Sequence, residues 1–167
     1  AVIKNLITEG SVNVTSIYGA GIVARVDTSE EGNNNEHIYI QNCINRANVS
    51  ATGGAKYLAG IVSHYQGKYN RGNCLFIEDC TNVGNINLTF AGYGAGILTY
   101  GTYGATINNC TNRGEINIPG SGGDMAGIAA NLYNYCTVVN CVNVGNINGG
   151  SMKIGGIVGR AEKVNIY

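Results

Sequence analysis

One eight-residue phrase recurs along this chain of 167 residues. It reads CTNVGNIN at 80–87, CTNRGEIN at 110–117, CVNVGNIN at 141–148 and, in a worn form, CINRANVS at 43–50. A catalytic motif needs to occur once, so repetition points first to architecture. A second phrase alternates with it in fixed order: AGIVA at 20–24, AGIVS at 59–63, AGILT at 95–99, AGIAA at 126–130 and GGIVG at 155–159. The stretch VIKNLITEGSVNV (2–14) aligns without gaps on TINNCTNRGEINI (106–118), which places Leu6 at the cysteine position and Thr8 at the asparagine position. Successive Gly–Ile glycines lie 39, 36, 31 and 29 residues apart, so the last two spacings are the bare unit and the earlier copies carry insertions.

Within a copy the apolar residues alternate. Ile107 and Cys110 flank one bend, and Ile116 and Ile118 follow at strand period. Asn-x-Gly sits between two such runs and signals a turn, because glycine readily takes φ > 0. No segment keeps a helical period over three turns. The pattern predicts an all-β fold, a single-stack β-solenoid (parallel β-helix) of about five coils with three short strands per coil, spanning 1–167 as a single domain. One coil cannot bury its own apolar side, so the letters repeat because the coils stack.

Stacking accounts for the particular residues. Coils about 4.8 Å apart carry equivalent side chains in ladders. Asn45, Asn82, Asn112 and Asn143 are expected to form an asparagine ladder at a corner, each amide bonding to the next coil. An unpaired buried amide would cost about 1–3 kcal/mol. Cys43, Cys80, Cys110 and Cys141 stack beside it, pointing inward, and Ile22, Ile61, Ile97, Ile128 and Ile157 form an aliphatic ladder. Ala47 replaces the turn glycine in the worn copy, where the corner is expected to be wound differently. Asp79 replaces the asparagine before cysteine at an exposed site. The chain starts inside one copy and ends inside another (KVNIY, 163–167), and neither end carries a clear polar cap. The expectation is a fragment of a longer array, or end coils shielded by neighbouring repeats or domains of a parent protein.

Composition narrows the function classes. Ten acidic and ten basic residues cancel and are scattered, which argues against a nucleic-acid partner or an anionic membrane held by a field of lysines. Charged residues are only 12%, yet the 44% of hydrophobic residues at regular positions speaks against disorder. No run of about 18 apolar residues exists, so no membrane insertion is expected.

Six cysteines invite a disulfide or metal reading. No C-x-x-C is present, four of the six share one repeat position, and leucine substitutes there at Leu6. A position that accepts leucine is a small apolar pocket, and free cysteine suits one. A bond between adjacent coils is sterically open, since neighbouring Cα atoms are near enough. Cys74 and Cys136 lie in variable segments, where reactivity is conceivable. His37 and His64 fall in insertions and read as solvated loop histidines, without the convergent partners that a metal or general base needs. Glu30, Glu31 and Glu36 crowd one insertion that would hold a cation only loosely, lacking the alternation of a Ca²⁺ loop. No metal and no cofactor are expected, and no nucleophile elbow, P-loop or dinucleotide fingerprint occurs.

The tyrosines are more informative. Tyr18, Tyr57 and Tyr93 each lie three residues before a Gly–Ile glycine and should stack on successive coils; packing across strands explains them better than binding does. Tyr65, Tyr69, Tyr100, Tyr103, Tyr133 and Tyr135 fill the variable segment between the two phrases, the part of a solenoid repeat that commonly carries a binding face. Tyrosine among asparagine and glycine makes an adaptable contact surface, so these six are the candidate binding residues.

Gly–Ile–x–Gly, best preserved as GIVG at 156–159, alternating with N-C-x-N-x-G-x-I, resembles the GLUG-type repeats of bacterial surface proteins. Similar arrays occur in adhesins and in the non-catalytic regions of IgA-specific metallopeptidases. The resemblance covers nearly the whole chain, with alanine or serine replacing the final glycine of the motif in most copies. It implies a secreted or cell-surface bacterial module, and it carries no catalytic residue across, because none belongs to the repeat. The function expected is therefore non-enzymatic: an adhesin or stalk segment displaying variable tyrosine-rich loops to a glycan or a host surface protein. The alternative is a fragment of a carbohydrate-active β-helix enzyme, lyase- or hydrolase-like. That chemistry needs paired carboxylates, or a base beside a cation, on one face, and the charged residues here do not fall at matching repeat positions.

Overall fold

Each coil bends where its residues make bending cheap. In the computed structural model, which describes residues 1–28, 37–52, 57–69, 74–150 and 153–167, the residue just before the cysteine position is left-handed in every coil. These residues are Asn5, Asn42, Asp79, Asn109 and Asn140, with φ between 50° and 59°. Asparagine and aspartate tolerate that conformation best after glycine, because their short polar side chains bond locally. Asp79 therefore keeps the corner that asparagine makes elsewhere. Glu30, Glu31 and Glu36 lie outside the described residues.

The chain is all-β, and its strands form five parallel sheets running up the stack. The first holds Val2–Lys4, Ile38–Gln41, Leu75–Glu78, Ala105–Asn108, Thr137–Val139 and Asn165–Ile166. The second holds the two-residue strands Ile7–Thr8, Ile44–Asn45, Thr81–Asn82, Thr111–Asn112 and Val142–Asn143. The third holds Ser11–Val14, Asn48–Ala51, Ile86–Leu88, Ile116–Ile118 and Ile147–Gly149. The fourth holds Tyr18–Ala20, Tyr57–Ala59, Tyr93–Ala95, Asp124–Ala126 and Lys153–Gly155. The fifth holds Val23–Asp27, Val62–Gln66, Leu98–Thr102, Ala129–Tyr133 and Val158–Glu162. This is a parallel β-solenoid of about five coils, with five short strands per coil where three were expected. The count rises because two of the three expected segments are bent in the middle, one at the left-handed residue before cysteine and one at the Gly–Ile glycine. Among the described residues no helix is long and apolar enough to cross a membrane.

The asparagine ladder is continuous. Asn45 Nδ2 donates to Asn82 Oδ1, Asn82 to Asn112 and Asn112 to Asn143, each at 2.8 Å, while Thr8 Oγ1 donates to Asn45 Oδ1 at 2.7 Å. Each Nδ2 also donates across its own turn, to the carbonyls of Ala47, Gly84, Gly114 and Gly145 at 2.9–3.0 Å. Both amide hydrogens are thereby satisfied in the interior. Against this ladder lie the Gly–Ile glycines. A Cβ added to Gly21, Gly60, Gly96 or Gly127 would stand 2.2–2.4 Å from a side-chain atom of Asn45, Asn82, Asn112 or Asn143. The two phrases recur together because each makes room for the other.

The turn glycines have a different reason from the one expected. Gly84, Gly114 and Gly145 are not left-handed. Their Cβ would instead meet the carbonyl oxygen of Ala47, Gly84 or Gly114 in the coil below, at 1.9–2.1 Å. Only Gly10 takes a positive φ at this position, +89°, and its carbonyl accepts from Asn48 N, where higher coils use an asparagine side chain for the equivalent bond. The expectation for Ala47 is corrected: its own corner is wound like those of the higher coils, with Asn45 Nδ2 donating to its carbonyl, and the corner that differs is Gly10 beneath it, which leaves room for the buried Ala47 side chain.

The ladder divides two apolar cores. One gathers Ile40, Ile77, Ile107 and Val138 with Ile61, Ile97, Ile128 and the thiols of Cys43, Cys80 and Cys110. The other gathers Val49, Ile86 and Ile116 with Leu58, Leu88, Ile118 and Met125. None of the six cysteines is in a disulfide bond, and each ladder thiol donates to the carbonyl two residues earlier at 3.2–3.3 Å. Cys74 and Cys136 are buried in the first core, where burial pushes the Cys136 thiol up, so these two are packing residues.

Candidate functional site

At each Gly–Ile corner the backbone is drawn inward against the asparagine ladder, so the outer faces of the fourth and fifth sheets turn toward one another. The result is an outer crease running parallel to the solenoid axis, along the waist between the two cores. One wall is the column three residues before the glycine: Tyr18, Tyr57, Tyr93, Asp124 and Lys153. The other is the column four residues after it: Arg25, His64, Tyr100, Asn131 and Arg160. Strand alternation turns their neighbours Leu58, Met125, Tyr65 and Leu132 inward.

Six rings fill the crease. Tyr18 and Tyr57 stack with centroids 5.5 Å apart, and Tyr57 and Tyr93 lie 4.8 Å apart and nearly parallel. On the opposite wall His64 and Tyr100 are 4.8 Å apart at 4°, and Tyr133 continues from Tyr100 at 5.7 Å. Across the crease, Tyr57 lies 5.7 Å from His64 and 5.9 Å from Tyr100, and Tyr18 lies 4.6 Å from His64. Pairs of this kind add about 0.5–1.5 kcal/mol each beyond area burial, so the columns are held as built surfaces.

Both ends carry arginine at the same repeat position. Arg25 sits over the Tyr18 ring at 5.6 Å and pairs with Asp27 at 2.5 Å. At the other end Arg160 Nε lies 3.1 Å from Asp124 Oδ2, and Arg160 donates to the Tyr133 hydroxyl at 3.2 Å. Asn131, with its amide oriented to satisfy both neighbours, donates to Asp124 Oδ2 at 2.7 Å and to Ala130 O. The two aromatic columns thus stop at a polar notch, where Asp124 and Asn131 replace Tyr93 and Tyr100 one coil on.

Burial sets the protonation of this surface. His64 is only 8% exposed, and burial first, then the nearby Arg25 cation, pulls its imidazole below the usual histidine range against a smaller opposing effect of Asp27. Burial and the neighbouring phenols push Tyr57 and Tyr100 up, keeping them as neutral hydroxyls.

The six expected tyrosines separate. Tyr100 and Tyr133 line the crease. Tyr103 and Tyr69 form an edge-on pair, centroids 5.8 Å apart, beyond the end of the fifth-sheet strands. Tyr135 and Tyr69 are largely exposed. Tyr65 is corrected: it is fully buried in the first core, its hydroxyl donating to Tyr103 O at 3.4 Å, and its bulk faces Gly101 in the next coil. It cannot meet a ligand. His64 is corrected too, from a loop histidine to a buried strand residue; His37 is exposed, its ring 5.6 Å from Phe76. Sequence reasoning missed Arg25, Asn131 and Arg160 as partners of His64 and Tyr100, and Asp124 as the continuation of Tyr93. The signal was present, since each stands at a fixed offset from its Gly–Ile glycine. Among the described residues no group of three His, Cys, Asp or Glu side chains is placed to hold a metal ion.

Comparison of the chain with protein-family models, with curated proteins and with solved structures finds no match in any of the three.

Proposed function

We propose that this chain is a non-catalytic module of a secreted or cell-surface bacterial protein, an adhesin or stalk segment that recognises a glycan or a host surface protein through its aromatic crease. The observation that carries this reading is the crease itself: six rings on outward positions, continuous across successive coils, with cations at both ends. An outward aromatic column is more than a packing requirement, because the two cores are already filled by side chains from the opposite strand faces. Rigid tyrosines give large amphipathic contact area at low entropic cost. The bacterial surface setting rests on the likeness of the repeats to GLUG-type arrays. The non-catalytic character is supported by Asp124, the one buried carboxylate among the described residues, which is tied to Arg160 and Asn131, whereas glycoside hydrolysis uses two carboxyl groups flanking the bond.

The test is a binding screen of the purified chain against a glycan array and host-matrix proteins, with Tyr100→Ala and Tyr133→Ala as controls. Recognition is expected to disappear in both variants. A blank screen would leave the repeats as a spacer and overturn the recognition role.

A further inference from the structure

The rings of the crease form an array close enough for reaction between them. Tyr57 is its hub. Tyr93 stacks on it at 4.8 Å and 9°, Tyr18 at 5.5 Å and 29°, and Tyr100 meets it from the opposite wall at 5.9 Å and 73°. Tyr57 and Tyr100 are both half-buried, so each keeps part of its surface at solvent while the strands hold its position. Burial and the neighbouring phenols keep both hydroxyls neutral, the form that gives up an electron and a proton together.

A phenol that loses both is left with an unpaired electron shared between its oxygen and the ring carbons ortho and para to it. Two such rings in contact join through the ortho carbons. Geometry selects the pair. Tyr18, Tyr57 and Tyr93 meet face to face on backbones one strand spacing apart, about 4.8 Å. A bond between ring edges holds the two Cβ atoms further apart than that, so joining stacked neighbours would force their coils open. Tyr100 and Tyr133 are tilted at 43°, but the Tyr133 hydroxyl accepts from the Arg160 cation, which opposes loss of an electron from that ring. Tyr57 and Tyr100 have neither obstacle. They stand on different walls, in strands Tyr57–Ala59 and Leu98–Thr102, with the edge of one ring toward the face of the other. Rotation about χ2, a broad torsion in tyrosine, turns their ortho carbons toward one another.

We infer that Tyr57 and Tyr100 form an oxidative cross-linking site, joined through the ring carbons ortho to their hydroxyls by a haem peroxidase acting with hydrogen peroxide. Each phenol gives up one electron and one proton. The two unpaired electrons become the new carbon–carbon bond, and the hydrogen on each bonded carbon moves to its ring's oxygen, restoring the hydroxyls. Hydrogen peroxide takes up both electrons and both protons and leaves as two water molecules. The bond ties the fourth sheet to the fifth across successive coils. This inference goes beyond the recognition reading and does not rest on it.

The test treats the full chain, at high dilution, with a haem peroxidase and hydrogen peroxide, then isolates the monomer. Expected are dityrosine fluorescence in the monomer, a mass lower by two hydrogen atoms, and a proteolytic fragment linking Tyr57 to Tyr100. Tyr57→Phe and Tyr100→Phe keep both rings in place and should each abolish the product, whereas Tyr135→Phe should leave it. Dityrosine confined to dimers, formed through exposed tyrosines such as Tyr69 and Tyr135, overturns the inference. So does a monomer cross-link that maps to any other pair, a yield unchanged in either crease variant, or no dityrosine at all.

Discussion

At the scale of single residues, the fold depends on glycine where a neighbour occupies the space a Cβ would need. A Cβ added at Gly96 would stand 2.4 Å from the Asn112 side chain and 2.4 Å from Gly127 O, whereas one added at Gly156 would meet nothing within 4 Å. Gly96→Ala should therefore destabilise the chain by about 1–3 kcal/mol or more, and Gly156→Ala by less than about 0.5 kcal/mol, in urea unfolding. Equal effects at the two positions would refute the interlocking of glycine and asparagine. Asn112→Ala removes the donor to Asn143 and Gly114 and the acceptor of Asn82, leaving several buried groups unpaired at about 1–3 kcal/mol each. His64 sets a pH dependence. Its folded pKa is lowered, so the folded state resists protonation and the unfolded state binds more protons as acid is added. The stabilisation is complete above the unfolded value of about 6.5 and is lost as pH falls through the lowered folded value. The groups facing it are Arg25, Asp27, Tyr18, Tyr57 and Tyr100. Unfolding free energy measured from pH 7.5 to pH 5 should fall more steeply in the wild type than in His64→Gln.

At the scale of the element, two tyrosines close in sequence character have opposite roles because strand position decides the face. Tyr100 is half-buried in the crease, while Tyr65 is fully buried beside Gly101. Tyr65→Ala should cost about 3–5 kcal/mol in denaturant unfolding, as large-to-small core changes do. Tyr100→Ala should cost much less and instead remove recognition; a pair of melts and binding isotherms separates the two. The column offsets of the crease were legible in the letters, since Arg25, His64, Tyr100, Asn131 and Arg160 all stand four places after their glycine. Their shared surface was not, because a mixed column of arginine, imidazole, phenol and amide has no compositional signature.

At the scale of the whole molecule, each coil touches only its neighbours through in-register sheets, so coils behave as units. Deleting residues 110–140 removes 31 residues, from one cysteine position to the residue before the next, and brings Asn109 directly onto Cys141. That chain should keep its β circular dichroism and a cooperative transition, shortened by about one strand spacing of 4.8 Å in small-angle scattering. Deleting only 110–125 leaves half a coil out of register and should abolish cooperative unfolding. Survival of the half-coil deletion with an unchanged melt would contradict the ladder as the organiser of the stack.

What the sequence by itself determined is the solenoid and its interior ladders. Stacking imposes one requirement per coil, so the same letters must recur at every copy, and Asn82, Asn112 and Asn143 announce their contact through spacing alone. What only the tertiary structure decided is which way the rest of each strand faces. His64 points into the crease and Tyr65 into the core, though they are adjacent, because alternation fixes relative faces while the absolute choice is made where the Gly–Ile corner seats against the asparagine ladder. The five-strand coil, the carbonyl beneath each turn glycine and the crease all follow from that one seating, a contact between residues about 20 positions apart that no local pattern of polarity encodes.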